Sequence, residues 1–423
     1  MPEIRAFRAI TYSRRADLSR LLCPPYDIVT GLDRERLDYL EPHNFINLIL
    51  PQGANPYQTS QELLAQWLAK GMLSERPEPG LFIYRQTFEL GARLYTRTAL
   101  IAAVRISDYS EGKVLPHEHT HRHAKEDRLR LLEATKANLD CVLGLYSDAS
   151  GGVAKLLEEG AGAGELLVDA DDPMGYRNEL IEVREAGVVE RLAQALADTV
   201  TVIGDGHHRY ETAQSYRDTR RQATGGVDPE APWEFVMMAL VAEEDPGLVI
   251  LPTHRLVDPT NVFGGVEEFL AALEGDFELK SLGAAQMATW EQDRAPGGFI
   301  VYVADGRRWL AEPRGPEPMA QAAPDRSEAW RQLDVALAQE LVLKKLLKLA
   351  DEKLLHEVEY VKSRRLLARR LAEAPRKVGL MMGKPDVSAI MRVAAAGEKM
   401  PQKSTYIEPK LTSGLLVRAL DWA

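Results

Sequence analysis

The stretch that most restricts how this chain folds is TVTVIGDGHHRYETA, residues 199–213. Its first half is apolar and β-branched, which suits a buried strand, and its second half has helical spacing. With only Gly204-Asp205-Gly206 between the two, the backbone has to turn sharply, and glycine permits that turn. The first N–H groups of the helix then lack partners, and the helix dipole adds positive potential at the same place. Such backbone accepts anions, phosphate above all. Arg209 adds a planar donor fork matched to phosphate oxygens, and His207 and His208 can donate hydrogen bonds or move protons. One reading is therefore a phosphate cradle made by Gly204, Asp205, Gly206, His207, His208 and Arg209. The plainer reading is that Asp205 caps the helix, the histidines are solvated and Arg209 pairs with a nearby acid.

Elsewhere strands and helices intermix. LFIYRQTFELGARLYTRTALIAAVRI (81–106) alternates on both sides of Gly91 and predicts a hairpin. FIVYVADGRRWLAEP (299–313) predicts another, with Asp305-Gly306 suited to a type I′ turn. Helices are expected around Ser60–Gly71 and over Val188–Ala197, the second with Val188, Leu192 and Leu196 on one face. EPRGPEPMAQAAPD (312–325) reads as a flexible linker, and Ser327–Glu373 as mostly helical. The expected class is α+β, with mixed sheets and hairpins rather than a doubly wound sheet. A length of 423 residues allows two or three domains. The division expected is an N-terminal α+β region over 1–258, holding the nucleotide-binding core, and a C-terminal α/β region over 259–423. The tail of the latter, 397–416, is a candidate to return to the site.

Composition narrows the function. A formal net charge of −11 opposes non-specific attraction to nucleic acid, since phosphate backbones are held chiefly by Lys and Arg. No apolar run reaches the roughly 20 residues needed to span a bilayer, so no membrane partner is expected. The start, MPEIRAFRAI, carries charges instead of a signal-peptide apolar stretch. Cys23 and Cys141 allow one disulfide at most, which fits a reducing cytoplasm. Small anionic ligands remain compatible, because one local positive pocket overrules the mean charge. Oligomeric state cannot be read from these features.

A second cluster is VLPHEHTHRHAKEDR, residues 114–128. On an extended backbone His117, His119, His121 and His123 would share one face at ~6.6–7 Å intervals. Two such imidazoles could chelate a metal, Zn²⁺ being the usual choice, although no partner Cys motif accompanies them. His117-Glu118 also suits acid/base work. Lys125, Asp127 and Arg128 could order phosphates and Mg²⁺, with Asp127 and His119 the metal candidates; the plainer reading is a charged first helical turn. The third cluster, GEKMPQKSTYIEPKLTSGLL (397–416), brings Lys403, Ser404, Thr405 and Lys410 into a Pro-bounded loop, an arrangement suited to phosphate or to an ordinary polar loop. PPYDI (24–28) presents Tyr26 and Asp27, and LPTHRL (251–256) presents His254.

Together CPPYDIV, VLPHEHT with KEDR, GDGHHRYETA, LPTHRL and MPQKSTYIEPKLTSGLL resemble the uncharacterised prokaryotic domain-of-unknown-function family 1015. The resemblance runs in order from about Ala6 to Leu416. That family is similar to the ParB and sulfiredoxin superfamily, whose phosphate-contacting box lies between a strand and a helix, with His208-Arg209-Tyr210 matching the sulfiredoxin-like His-Arg-Tyr. The chain departs from the pattern at His119, His121 and His123, which exceed the single His-Glu pair expected, and at Cys141-Val142, where Pro and Ile are expected. The sulfiredoxin cysteine is absent, Gly206-His207 occupying that turn, so sulfinic acid repair is excluded. The acidic balance and the lack of a helix-turn-helix argue against a ParB-like DNA clamp.

The superfamily's free-serine kinases are the small-molecule enzymes the resemblance points to. It implies a kinase that moves a phosphoryl group from ATP or ADP, with Mg²⁺, to a small hydroxylated metabolite, free L-serine first among them. Glu118, His117 and His208 form the catalytic group, with Glu118 taking the hydroxyl proton. The turn at 204–209, with Lys403, Ser404, Thr405 and Lys410, holds nucleotide, and Tyr26, Asp27, Arg128 and His254 face substrate. The alternatives are a metal-dependent phosphohydrolase of a phosphorylated small molecule and a nucleotide-binding regulatory protein without turnover.

Overall fold

The computed structural model describes residues 3–13, 16–120, 122–283, 286–287, 290 and 297–421. The fold is mixed α+β, in two compact units: residues 1–249 with 409–423, and residues 250–408.

The first unit is built on a nine-stranded mixed sheet among the described residues. Its strands lie in the order Val114–Pro116, Thr201–Asp205, Val142–Tyr146, Phe235–Ala242, Arg93–Arg105, Leu81–Leu90, Arg177–Val183 and Glu165–Asp171, with Ile4–Arg5 added against Arg93–Arg105. Two of the junctions are parallel, Thr201–Asp205 with Val114–Pro116 and Phe235–Ala242 with Val142–Tyr146. FVMMALVA is thus a central strand, which explains its unbroken apolar run: both faces are covered. Helix Ala186–Ala197 lays Val188, Leu192 and Leu196 into the same core as Ile83, Val183 and Ile203. The expected hairpin forms between Leu81–Leu90 and Arg93–Arg105, paired antiparallel along its length. A smaller four-stranded sheet orders Leu73–Glu75, Ala9–Tyr12, Val417–Ala419 and Ala137–Asn138, so the end of the chain is woven between early strands. Helix Pro56–Ala69 packs Leu64 and Trp67 into the core under it.

The second unit carries a six-stranded sheet in the order Phe277–Ser281, Arg308–Pro313, Phe299–Val303, Val378–Met381, His254–Val257 and Glu359–Val361. Helix Arg364–Glu373 buries Leu367 and Leu371 and leaves its arginines outward, as a solvated basic face should.

Several expectations are corrected. The turn at 304–306 is not type I′, which needs positive φ at both central residues. Only Gly306 has it, at 91°, so the loop is a type I turn closed by a left-handed glycine. The stretch expected as a flexible linker holds helix Glu317–Ala322, anchored by buried Met319. The region read as mostly helical is so, with one exception, strand Glu359–Val361, too short to show a period. The histidine run is not an extended strand. The strand stops at Pro116 and a helix starts at Arg122, so His117 and His119 sit in different settings. His121 and the side chain of His123 lie outside the described residues. Cys23 and Cys141 are free thiols. Among the described residues no helix is long and apolar enough to cross a membrane.

Candidate functional site

Strand Thr201–Asp205 ends at Gly206, whose φ of 86° makes the sharp turn, and the 18-residue helix His207–Thr224 starts at once. The helix holds its place because His207, Tyr210, Ala213, Tyr216 and Arg217 form its buried face. Tyr210 locks the far side of that face through hydrogen bonds with the Ser107 backbone, donating to its carbonyl and accepting from its N–H at 3.0 Å each. A Cβ on Gly206 would lie 2.9 Å from Arg209 Nε, so the guanidinium rests directly over the elbow.

Asp205 is the centre of charge. Its carboxylate accepts from Arg209 Nη2 at 2.8 Å and from Lys410 Nζ, which arrives from the chain's tail. Arg209 also donates to the Cys141 carbonyl. The three side chains are only 11–16% exposed. Burial pushes the Asp205 carboxyl up, but Lys410 and Arg209 more than offset that and hold it well below the usual carboxylate range. Arg209 is likewise held fully charged, the nearby acids outweighing its burial. The plainer expectation for Arg209, pairing with an acid, is thus met within the elbow itself, with Lys410 as a second cation on the same acid.

Behind the elbow stand two buried imidazoles. The His117 N–H donates to His207 Nε2 at 3.3 Å, and the rings meet edge to face at 4.7 Å between centroids. The acceptor nitrogen of His207 therefore carries no proton. His117 Nδ1 faces the Ile203 carbonyl, which fixes a proton there. Burial lowers the His117 pKa, only partly countered by Glu118. Glu118 is half-buried, His119 is exposed and His208 is half-buried. The loop that carries Glu118 is tied down by Glu211, which accepts from Thr120 Oγ1 at 2.7 Å and from Lys125 Nζ at 2.9 Å.

Asp127 does not stand free for a metal: it accepts from the Tyr57 hydroxyl at 2.9 Å and from Arg128 Nε at 2.8 Å. Among the described residues no three His, Cys, Asp or Glu side chains converge as a metal site. Arg128 is buried, donates to the Ile49 carbonyl and lies 4.1 Å over the Tyr26 ring. Asp27 beside it is exposed. Tyr26, Arg128 and Arg209 share the wall of a cavity of about 50 Å³ with Asp140 and Thr212. Asp140 was not singled out from sequence, because an Asp before an apolar strand reads as an ordinary boundary. Burial raises its pKa, against the opposing pull of Arg209. Glu211 was missed for a like reason: a polar residue on a long helix carries no mark of what it reaches.

The remaining candidates lie in the second unit. His254 is buried, its Nδ1 accepting from the Met382 N–H at 3.2 Å, and burial drives its pKa down to about 4. Lys403 is exposed and left-handed at φ 55°, and Thr405 opens strand Thr405–Glu408. Ser404 is buried, donates to the Pro401 carbonyl and borders a cavity of about 270 Å³ with Lys384 and Arg392. Lys410 thus shares a unit with residues 204–209, and Lys403, Ser404, Thr405 and His254 belong to the other.

The fold and the site define an α+β protein whose central sheet delivers a cation-rich strand-to-helix elbow. The family model described as protein of unknown function (DUF1015) matches residues 4–336, and the chain belongs to that family. No curated protein matches it. Among solved structures it is similar to SbnI with a C-terminal truncation from Staphylococcus aureus, at 12% identity over 75% of this chain and 87% of that one, with a TM-score of 0.38. It is similar to a free serine kinase variant in complex with AMP, at 11% identity over 73% and 87%, with a TM-score of 0.36. A conserved hypothetical protein from Pyrococcus furiosus gives 12% identity over 76% and 95%, with a TM-score of 0.34.

Proposed function

We propose that this protein is a small-molecule kinase that carries a phosphoryl group from ATP or ADP to the hydroxyl of a small metabolite, free L-serine being the first acceptor to test. The observation that supports it most is the meeting of Lys410 and Arg209 on Asp205 at the N-terminus of a long helix. Two cations held on one carboxylate are already oriented, and phosphate oxygens entering the elbow compete with that carboxylate for them. Asp205 then acts as a stand-in that keeps both cations in place between turnovers, rather than as a phosphate contact. Transfer of a phosphoryl group depends mainly on positioning and charge, which Lys410, Arg209 and the first N–H groups of helix His207–Thr224 provide. Glu118 accepts the proton of the attacking hydroxyl, and neutral His117 behind it keeps the local charge from rising. Mg²⁺ needs only one or two protein carboxylates beside nucleotide phosphates, and the exposed Asp27 is the residue suited to it, since Asp205 and Asp127 are already engaged. Bound there, it would neutralise charge on the phosphates.

Calorimetry with ATP, ADP and CTP, followed by mass spectrometry of serine and related acceptors, tests the reading. The expected result is nucleotide binding in both wild type and Glu118→Gln, with phosphorylated product from wild type alone. Absence of nucleotide binding by the wild-type chain, or full activity in the variant, overturns it.

A further inference from the structure

We infer that Gln86 is a positioning residue: it sets the backbone of Lys410 so that the ammonium reaches Asp205, and Arg97 and Asp172 hold Gln86 in the orientation that does so. That Lys410 lies on Asp205 is a feature of the structure; that this place serves phosphate rests on the kinase reading. Arg97, Gln86 and Asn178 stand side by side across strands Arg93–Arg105, Leu81–Leu90 and Arg177–Val183, each directly opposite the next. Residues in register project to the same face of a sheet, so these three polar side chains form a row. None is more than 1% exposed. Such a row is costly unless its groups find partners.

The tail of the unit supplies them. Gln86 Nε2 donates to the Lys410 carbonyl and to Thr412 Oγ1, at 3.1 Å each, while its Oε1 accepts from Arg97 Nη2. Thr412 Oγ1 donates in turn to Asp172 at 2.7 Å, whose other oxygen accepts from the Met174 and Tyr176 N–H groups. Asn178 donates to the same carboxylate at 3.3 Å and accepts from the Tyr84 hydroxyl at 2.6 Å. The directions along this chain are forced. A guanidinium only donates and a carboxylate only accepts, so with Arg97 at one end and Asp172 at the other the Gln86 amide cannot turn over. Its nitrogen faces the tail, where the buried carbonyl needs a donor.

The consequence for the elbow lies in the nature of lysine. Its stem is long and flexible, and holding the ammonium on one acid costs side-chain entropy. A backbone that drifted as well would let the ammonium leave Asp205. Pinning the residue at its own carbonyl leaves the stem alone to be ordered. Ser413 is also pinned, exchanging two backbone hydrogen bonds with Cys23, but it lies three residues beyond, whereas Gln86 grips Lys410 itself. Gln86 acts through Lys410, so its part is placement.

The test combines chemical labelling of Lys410 with pyrophosphate titration, both on the full chain. Gln86→Glu keeps the shape and the bond to Arg97, which takes up the new charge, but removes the donor from the tail. Brief acetylation with acetic anhydride, read peptide by peptide by mass spectrometry, should mark Lys410 several-fold faster in this variant, with the other lysines unchanged. Calorimetry should show pyrophosphate bound roughly 2- to 10-fold more weakly, as expected for the loss of one hydrogen bond. On a Lys410→Met background the same substitution should cost nothing more, because its effect runs through that lysine. Thr412→Val, which breaks the link to Asp172, should act in the same direction, and Thr412→Ser should restore wild-type values; this pair carries the test if Gln86→Glu does not fold. Unchanged labelling of Lys410, labelling that rises equally at every lysine, or affinity losses that simply add overturn the assignment. Faster labelling of Lys410 in a protein that binds no pyrophosphate would sink the phosphate reading and leave Gln86 in its role. Pyrophosphate binding and phosphoryl transfer indifferent to Gln86 would do the reverse.

Discussion

Replacing Asp205 with Asn tests the elbow most directly. The substitution keeps the shape of the side chain but leaves Lys410 and Arg209 facing each other without an anion. A full charge pair at 2.8 Å is worth about 6 kcal/mol at an effective dielectric of about 20, much of it offset by the desolvation of both partners. Removing one partner from a buried pair generally destabilises by about 3–5 kcal/mol. The slight solvent access of these side chains places this case near the lower end, about 3 kcal/mol. For a unit of this size that is a drop of roughly 6–12 °C in melting temperature. The assay is thermal melting by circular dichroism in low salt, with and without pyrophosphate. The variant should melt well below wild type and should recover most of the difference in pyrophosphate, since a ligand at 100 times its Kd adds about 2.7 kcal/mol. Wild type should respond less, because Asp205 competes for the same cations. The pH dependence gives a second readout. The folded-state pKa of Asp205 lies below its reference value of 3.8, so its stabilisation is complete above that pH and is lost as the pH falls below it. The variant should lack that acid limb. A variant that melts with wild type, or that falls without any added response to pyrophosphate, would refute the account of Asp205 as a stand-in for phosphate.

Three further outcomes are expected. Gly206→Ala should destabilise by about 1–2 kcal/mol and weaken nucleotide binding, since φ is 86° and the new methyl meets Arg209; chemical denaturation and calorimetry check both. His254 should make the second unit acid-sensitive. Its pKa falls from 6.5 to about 4, so stability is full above about pH 6.5 and declines by up to about 3 kcal/mol as pH approaches 4, and His254→Gln should flatten that limb in urea melts. Leu192→Ala, at a fully buried position in the main core, should cost about 2–5 kcal/mol in the first unit without a change in the ligands it selects.

What could be read from sequence depended on how far apart the interacting residues lie. The hairpin over 81–106, helix Ala186–Ala197 and the strand-to-helix elbow each rest on neighbours in the chain, so periodicity and glycine placement mark them. The Lys410–Asp205 contact joins residues 205 positions apart, and no local pattern says that one lysine of a polar tail reaches that acid. Asp140 was illegible for the same reason: the residues it meets, Arg209 and Ser413, lie far along the chain from it. The backbone of the histidine run was not legible because alternation fits a strand only if the chain stays extended there, whereas the strand stops at Pro116 and helix Arg122–Thr135 opens on basic residues. Strand Glu359–Val361 is three residues long, below the length at which a period of two can be told from chance.

The weaving of residues 409–423 into the first unit has a consequence for biosynthesis. Strand Val417–Ala419 fills the gap between Ala9–Tyr12 and Ala137–Asn138, and Lys410 supplies half of the cationic clamp. Both emerge from the ribosome only after the whole of residues 250–408. Until then the nascent first unit waits with an open seam and with Arg209 alone on Asp205, so a translation product cut short anywhere in the second unit would lack the second cation of the elbow.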